Sequence, residues 1–163
     1  MNNVKFADGS GTTPTLMGPN FEYVSFFDGA RPMKLVILRT ADGKSVLVPQ
    51  PFPFPDSSAQ SENTITAFGD IFGIENNYGS GVAAYKMSGA YGQETVALLW
   101  TNTTVFAPNA VPLISGASRK LYVYEMQGSN QWAADAQWFV TALDLDTGAV
   151  AWQQSIGQGM TYN

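Results

Sequence analysis

Short runs of alternating apolar and polar residues, separated by turn signals, recur along the whole chain. Such alternation is typical of strands with one buried face. No segment keeps apolar residues at helical spacing for three turns, and Asn130–Ala136 is expected to form one short helical turn or a loop. The alternation predicts six hairpins, whose flanking strands are Thr12–Leu16 with Phe21–Phe26, Met33–Thr40 with Ser45–Val48, Thr64–Phe68 with Ile71–Glu75, Val82–Met87 with Glu94–Trp100, Val111–Ser115 with Leu121–Met126, and Trp138–Leu143 with Ala149–Gln153.

Taken in pairs, the hairpins give three four-stranded units, at about 12–48, 64–100 and 111–153, within one domain spanning 1–163. Four strands in roughly 40–50 residues are typical of one blade of a β-propeller. The sequence therefore predicts an all-β protein of three propeller-like blades.

The segment between the first two units, Pro49–Pro55, holds four prolines. Proline fixes the backbone and supplies no N–H, which favours an extended polyproline conformation. We expect a stiff linker whose Phe52 and Phe54 cover an edge of the core. Docking of a partner on this segment is the alternative.

Composition and charge narrow the classes of partner. Hydrophobic residues make up 45% of the 163 residues and charged residues 13%, so a folded domain with a real core is expected. The net charge is −5, the pI is near 4.4, and the few cations are scattered. Neither nucleic acid nor an anionic membrane is therefore an expected partner, and no apolar run is long enough for a membrane span.

The chain contains no His and no Cys, and this absence excludes more classes of catalytic and metal site than any other feature of the composition. Ser–His and Cys–His nucleophiles, zinc bound by His or Cys, and His-ligated haem are excluded within this chain. Carboxylate, Tyr, Lys or Ser–Lys chemistry, or a cation bound by oxygen ligands such as calcium, remains open. The sequence predicts no catalytic residue. It also predicts no cofactor, and a bound calcium ion is the alternative.

The turn near the C-terminus carries a family resemblance. Ala142, Asp144, Thr147, Gly148 and Trp152 fit the pattern A-x-D-x-x-T-G-x-x-x-W, which resembles the repeat of the PQQ-like, or quinoprotein-type, β-propellers. In that family the repeat covers the outer strands of a blade, and its tryptophan packs between neighbouring blades. The resemblance gives these residues a structural role.

The first unit repeats this turn weakly. Ile37–Gly43 followed by Leu47 aligns with Ala142–Gly148 followed by Trp152, and each has an apolar residue four positions after the glycine. The second unit has a longer turn but also ends in a tryptophan, Trp100. The family's dehydrogenases close a full ring of blades around the quinone, and some clamp it with neighbouring cysteines, so PQQ is not expected here.

Three blades alone would leave two apolar blade faces and two sheet edges exposed. We therefore expect two copies to pair face to face as a homodimer with a six-bladed, two-fold symmetric ring. A piece of a longer propeller and an open β-sandwich are the alternatives.

Two places are candidate ligand sites. Glu75, Asn76 and Asn77 follow a predicted inner strand and could bind calcium or the hydroxyls of a sugar, or simply form a polar turn. Trp132 lies among polar neighbours and could stack on a sugar ring, although aromatic residues of this kind more often fill gaps between blades. A glycosidase-like pair among Glu22, Glu75 and Glu125 is a further alternative.

The predicted role is a non-catalytic binding or scaffolding module that associates with itself through its blade faces. A carboxylate- or calcium-dependent enzyme acting on glycans at the propeller channel is one alternative, and a fragment of a larger propeller protein is the other. The first ten residues lack the apolar core of a signal peptide. We expect a secreted bacterial protein, extracellular or periplasmic, whose signal peptide is absent from this sequence.

Overall fold

Twelve short strands make up the regular structure. The computed structural model describes residues 12–46, 50–54, 60–108, 110–128 and 130–160, and no helix occurs in these ranges. In chain order the strands are β1 (Thr15–Met17), β2 (Tyr23–Phe27), β3 (Lys34–Arg39), β4 (Gln50–Pro51), β5 (Thr66–Phe68), β6 (Ile71–Glu75), β7 (Val82–Ser88), β8 (Thr95–Asn102), β9 (Leu113–Ser115), β10 (Lys120–Gln127), β11 (Gln137–Asp144) and β12 (Val150–Gln158).

The strands form three antiparallel sheets, each a meander of four consecutive strands. Sheet 1 contains β1 to β4, sheet 2 contains β5 to β8, and sheet 3 contains β9 to β12. The predicted all-β fold of three four-stranded units is therefore confirmed. Residues 130–136 form turns and bends, the loop alternative of the sequence prediction.

The fourth strand of sheet 1 differs from the prediction of Ser45–Val48. Ser45 forms an isolated bridge with Leu38 and the Val46 N–H donates to the Ile37 carbonyl at 2.9 Å, but the strand itself lies later, where Gln50 pairs with Leu35. Residues 47–49 lie outside the described residues. Proline is tolerated in this strand because it is an edge strand, where an N–H facing solvent is not needed.

The proline-rich segment brings two aromatic rings into the core. Phe52 and Phe54 are both buried, and the rings of Phe27 and Phe52 meet edge to face at 5.1 Å. A Cβ atom added to Gly81 would lie 2.3 Å from the Phe54 ring, so a glycine is required there for sheet 2 to accept the ring. The segment covers the core edge as its sequence predicted.

Two apolar layers hold the three sheets together. One lies between sheets 1 and 2 and includes Phe27, Phe72 and Tyr85, whose last two rings stack at 5.3 Å. The other lies between sheets 2 and 3 and includes Trp100 and Leu121. Full burial of one such side chain contributes about 1.5–3 kcal/mol, so these layers are the main source of stability. The short strands β1, β5 and β9 lie side by side along the inner edge.

Candidate functional site

The first candidate ligand residue, Glu75, ends β6 and is completely buried. Its Oε1 accepts hydrogen bonds from Ser61 Oγ at 2.9 Å and from Asn63 Nδ2 at 2.8 Å. Its Oε2 has no hydrogen-bond partner among the described residues. Burial outweighs the hydrogen bonds from Ser61 and Asn63 and raises the pKa of Glu75 to about 7.

Asn76 and Asn77 begin the turn that follows β6, and both are buried. Asn76 Oδ1 accepts the backbone N–H of Gln60 at 3.1 Å, and Asn77 Oδ1 accepts that of Glu62 at 3.0 Å. The two amides therefore tie the segment before β5 to the β6–β7 turn. The structure brings Glu75, Asn76 and Asn77 together, but it points their oxygens at the protein's own chain.

Trp132 lies elsewhere, on the β10–β11 connection of sheet 3, and is 50% exposed. Its backbone N–H donates to Asn130 Oδ1 at 2.9 Å. No hydrogen bond or ring contact of the described residues joins it to Glu75. Trp132 and Glu75 were predicted as separate candidate sites, and the ligand-binding role of each stays a prediction.

The acids considered for a glycosidase pair have separate environments. Glu22 accepts hydrogen bonds from Asn20 in the β1–β2 turn. Glu125, on β10, accepts Thr141 Oγ1 at 2.5 Å and Gln153 Nε2 at 2.8 Å within sheet 3. The described ranges contain no group of three or more acidic side chains that could hold a metal ion.

A buried ionic junction that the sequence did not predict joins sheets 1 and 2. Arg39 donates to Glu94 Oε2 at 2.9 Å, and Tyr23 donates to Glu94 Oε1 at 3.0 Å. Burial alone would raise the pKa of Glu94, but the hydrogen bonds from Arg39 and from the Gly92 amide lower it to about 2. Arg39 and Glu94 are far apart in sequence, so no local pattern could have revealed the pair.

The turn Asp144–Gly148 of sheet 3 carries the PQQ-like signature residues and is called the signature turn below. Trp100 of sheet 2 packs on it, and this packing surface is called the seat. Asp144 Oδ1 accepts the backbone N–H and the hydroxyl of Thr147, at 3.2 and 3.1 Å, which closes the turn. Trp100 of β8 covers this turn, and its Nε1 donates to the Leu145 carbonyl at 2.9 Å. A Cβ atom added to Gly148 would lie 2.4 Å from the Trp100 ring. Gly148 is therefore needed for close contact between the sheets.

Trp152, the last residue of the signature, is 45% exposed on β12. Its ring lies 5.8 Å from that of Tyr122, and none of the strands in the described ranges covers the pair. Trp152 and the half-buried Tyr122 belong to the outward, aromatic face of sheet 3, called the exposed aromatic face below.

Comparison with solved structures identifies the architecture. The chain aligns with the crystal structure of BamB from Moraxella catarrhalis, a β-propeller, with a TM-score of 0.59 and 17% sequence identity. The fold is propeller-like. The alignment covers 90% of this chain and 38% of that one, so this chain spans well under half of the larger protein's length. No protein-family model and no curated protein sequence matches this chain.

The propeller-like fold accounts for the arrangement of the three sheets. Within the described ranges no helix is long and apolar enough to cross a membrane.

Proposed function

We propose that this chain is a non-catalytic binding or scaffolding module of the PQQ-like β-propeller type that associates with itself through the faces of its terminal sheets. The observation that carries the proposal is the exposed aromatic face of sheet 3. Large contiguous apolar surfaces are uncommon on soluble monomers and mark sites of association.

The environments of the carboxylates support a non-catalytic role. A glycosidase needs two carboxyl groups that converge on one sugar. Glu75 is enclosed by Ser61 and Asn63, whereas Glu125 is occupied by Thr141 and Gln153. These acids serve the internal hydrogen bonding of separate sheets.

The molar mass in solution tests the proposal. We expect sedimentation equilibrium of the full chain to show a species of twice 17.6 kDa at micromolar concentration, dissociating on dilution. A species of 17.6 kDa throughout that range would contradict self-association.

A glycan-directed enzyme or glycan-binding site at Glu75 is the second candidate function. The observation that favours it is the raised pKa of Glu75, about 7, since perturbed acids are frequent at functional sites. Titration of the chain with calcium and with oligosaccharides, followed by calorimetry, tests this candidate. Heat that disappears in Glu75→Gln would support it, and no heat with either probe would contradict it.

The secreted, bacterial setting and the extracellular or periplasmic location remain part of the proposal. They rest on the resemblance of the signature turn to the PQQ-like repeat, and on that of Ile74–Gly79 and Leu99–Thr104 to segments of larger bacterial secreted proteins with this propeller. Membership of a larger propeller, as the partial alignment with a longer chain allows, is compatible with the same binding or scaffolding role.

A further inference from the structure

The exposed aromatic face of sheet 3 has a defined register. Leu113 pairs with Tyr122, Tyr122 with Ala142, and Ala142 with Trp152. Directly paired residues of antiparallel strands point to the same side of a sheet, so these four side chains form one row across all four strands. Trp152 lies at the outer end of this row.

Sheet 2 contains a row at the equivalent register positions, and sheet 3 covers it. Thr66 pairs with Gly73, Gly73 with Ala84, and Ala84 with Trp100. Trp100 therefore occupies in sheet 2 the position that Trp152 occupies in sheet 3. Trp100 is only 8% exposed because the β11–β12 turn of sheet 3 packs on it, whereas Trp152 is 45% exposed.

A turn of the kind on which Trp100 packs occurs twice, once in sheet 3 and once in sheet 1. In sheet 3 the Gly148 N–H donates to the Asp144 carbonyl at 2.8 Å, and in sheet 1 the Gly43 N–H donates to the Arg39 carbonyl at 2.9 Å. The φ angles of the two glycines are +72° and +68°. Gly148 is buried beneath Trp100, but Gly43 is exposed, and no atom of the described residues lies within 4 Å of a Cβ placed there.

The apolar surface beside each seat matches as well. In sheet 1, Leu16 pairs with Val24 and Val24 with Leu38, and Leu16 is 54% exposed. The corresponding row of sheet 3 is buried against sheet 2 and consists of Ile114, Leu121 and Leu143. The outer face of sheet 1 is therefore apolar in the same positions as the face of sheet 3 that packs on sheet 2.

We propose that Trp152 of one copy packs on the Gly43 turn of a second copy, which repeats the Trp100–Gly148 junction between chains. The proposal rests on the self-association put forward above and names its contact. By the same correspondence, the Trp152 Nε1 donates to the Thr40 carbonyl, as Trp100 Nε1 does to that of Leu145.

Two copies satisfy both halves of this contact. Each copy supplies one Trp152 and one Gly43 turn, so two copies form two identical junctions related by a two-fold axis. The ring then has six sheets, within the range of roughly four to eight blades seen in propellers, whereas three copies would exceed it.

Two substitutions on opposite sides of the junction test the contact. Trp152→Ala removes the ring, and Gly43→Asn places a side chain over the seat while keeping a residue that tolerates positive φ. We expect each to weaken dimerisation at least about a hundredfold, because a buried tryptophan is a typical hot spot and each ring carries the contact twice. Sedimentation equilibrium measures the dissociation constants.

Trp132→Ser is the matched control, because Trp132 is exposed to a similar extent but lies on the β10–β11 loop outside the row. It should keep the dissociation constant of the unmodified chain. Far-ultraviolet circular dichroism checks that all three variants retain the β fold, which is expected because Trp152 and Gly43 have exposed positions.

The outcomes separate the two proposals. Loss of the dimer in both Trp152→Ala and Gly43→Asn supports the contact. A dimer that persists unchanged in these folded variants overturns the contact and leaves self-association standing through another surface. An unmodified chain that is monomeric overturns self-association itself, and the contact with it.

Discussion

At the scale of single residues, the Glu75 carboxyl carries an unusual hydrogen-bond arrangement. Ser61 Oγ lies 2.9 Å from both Glu75 Oε1 and Asn77 Oδ1, yet a hydroxyl has only one proton to donate. The ionised carboxylate accepts the Ser61 proton and leaves Asn77 without it, whereas a protonated Glu75 donates to Ser61 and so allows Ser61 to donate to Asn77. The arrangement agrees with the raised pKa of Glu75.

The pKa of Glu75 predicts how stability depends on pH. It is about 7 in the folded chain and 4.5 ordinarily, so the folded state holds this proton over a pH range in which the unfolded state has lost it. The contribution of Glu75 to the free energy of unfolding is therefore largest below about pH 4.5, and about 3 kcal/mol of it is lost as the pH rises through 7. In Glu75→Gln this dependence should disappear, as measured by urea unfolding at pH 5 and pH 8.

Glu62→Gln is the control for this measurement, because Glu62 is next to Ser61 in the segment that packs over Glu75 but is itself exposed. It should keep the pH dependence of the unmodified chain. An equal loss of stability between pH 5 and pH 8 in Glu75→Gln and in the unmodified chain would assign the dependence to another group.

The sequence predicted a polar cluster at Glu75, Asn76 and Asn77, and the structure shows such a cluster turned inward. Its burial depends on the segment around Ser61, which lies before β5 and packs over the β6–β7 turn. Residue types and spacing within the cluster contain no information about that segment's path. The direction of the side chains was therefore beyond local sequence reasoning.

At the scale of the elements, the β11–β12 turn is the part of sheet 3 that locks it to sheet 2. Gly148→Ala should lower the free energy of unfolding by at least about 3 kcal/mol, because alanine is strained at φ +72° and its Cβ would displace Trp100. Chemical denaturation measures the loss. The Trp100 fluorescence should change as well, since the ring must move away from Leu145.

Gly69→Ala separates backbone strain from this packing. Gly69 has φ +59°, but no described atom lies within 4 Å of a Cβ placed there. It should lose only roughly 1–2 kcal/mol from strain. Equal losses in the two variants would show that the contact of Gly148 with Trp100 adds no stability.

The elements also show where pattern reasoning succeeded. Alternation and turn residues predicted the hairpins because both are local properties of the chain. For the fourth strand of sheet 1 the sequence predicts Ser45–Val48, of which Ser45 and Val46 contact β3 and residues 47 and 48 lie outside the described residues. The strand itself is Gln50–Pro51, which does not have the composition of a strand. Pairing with Leu35, a long-range interaction, decided its position.

At the scale of the whole molecule, association should be coupled to stability. A partner that binds only the folded state raises the melting temperature with its own concentration. We expect the melting temperature of the unmodified chain to rise with protein concentration, while that of Trp152→Ala stays constant. Differential scanning fluorimetry over a dilution series measures both, and identical concentration dependence in the two would argue against Trp152 as the contact.

The sequence by itself determined the strands, the turns and the repeated placing of tryptophan at the end of a unit. These follow from side-chain alternation and from backbone preferences, which act between near neighbours in the chain. Only the tertiary structure decided that Trp100 is covered, that Trp152 is exposed, and that Glu75 is enclosed. Burial depends on which distant segments pack over a residue: Trp100 is followed by another sheet that covers it, and no described strand covers Trp152.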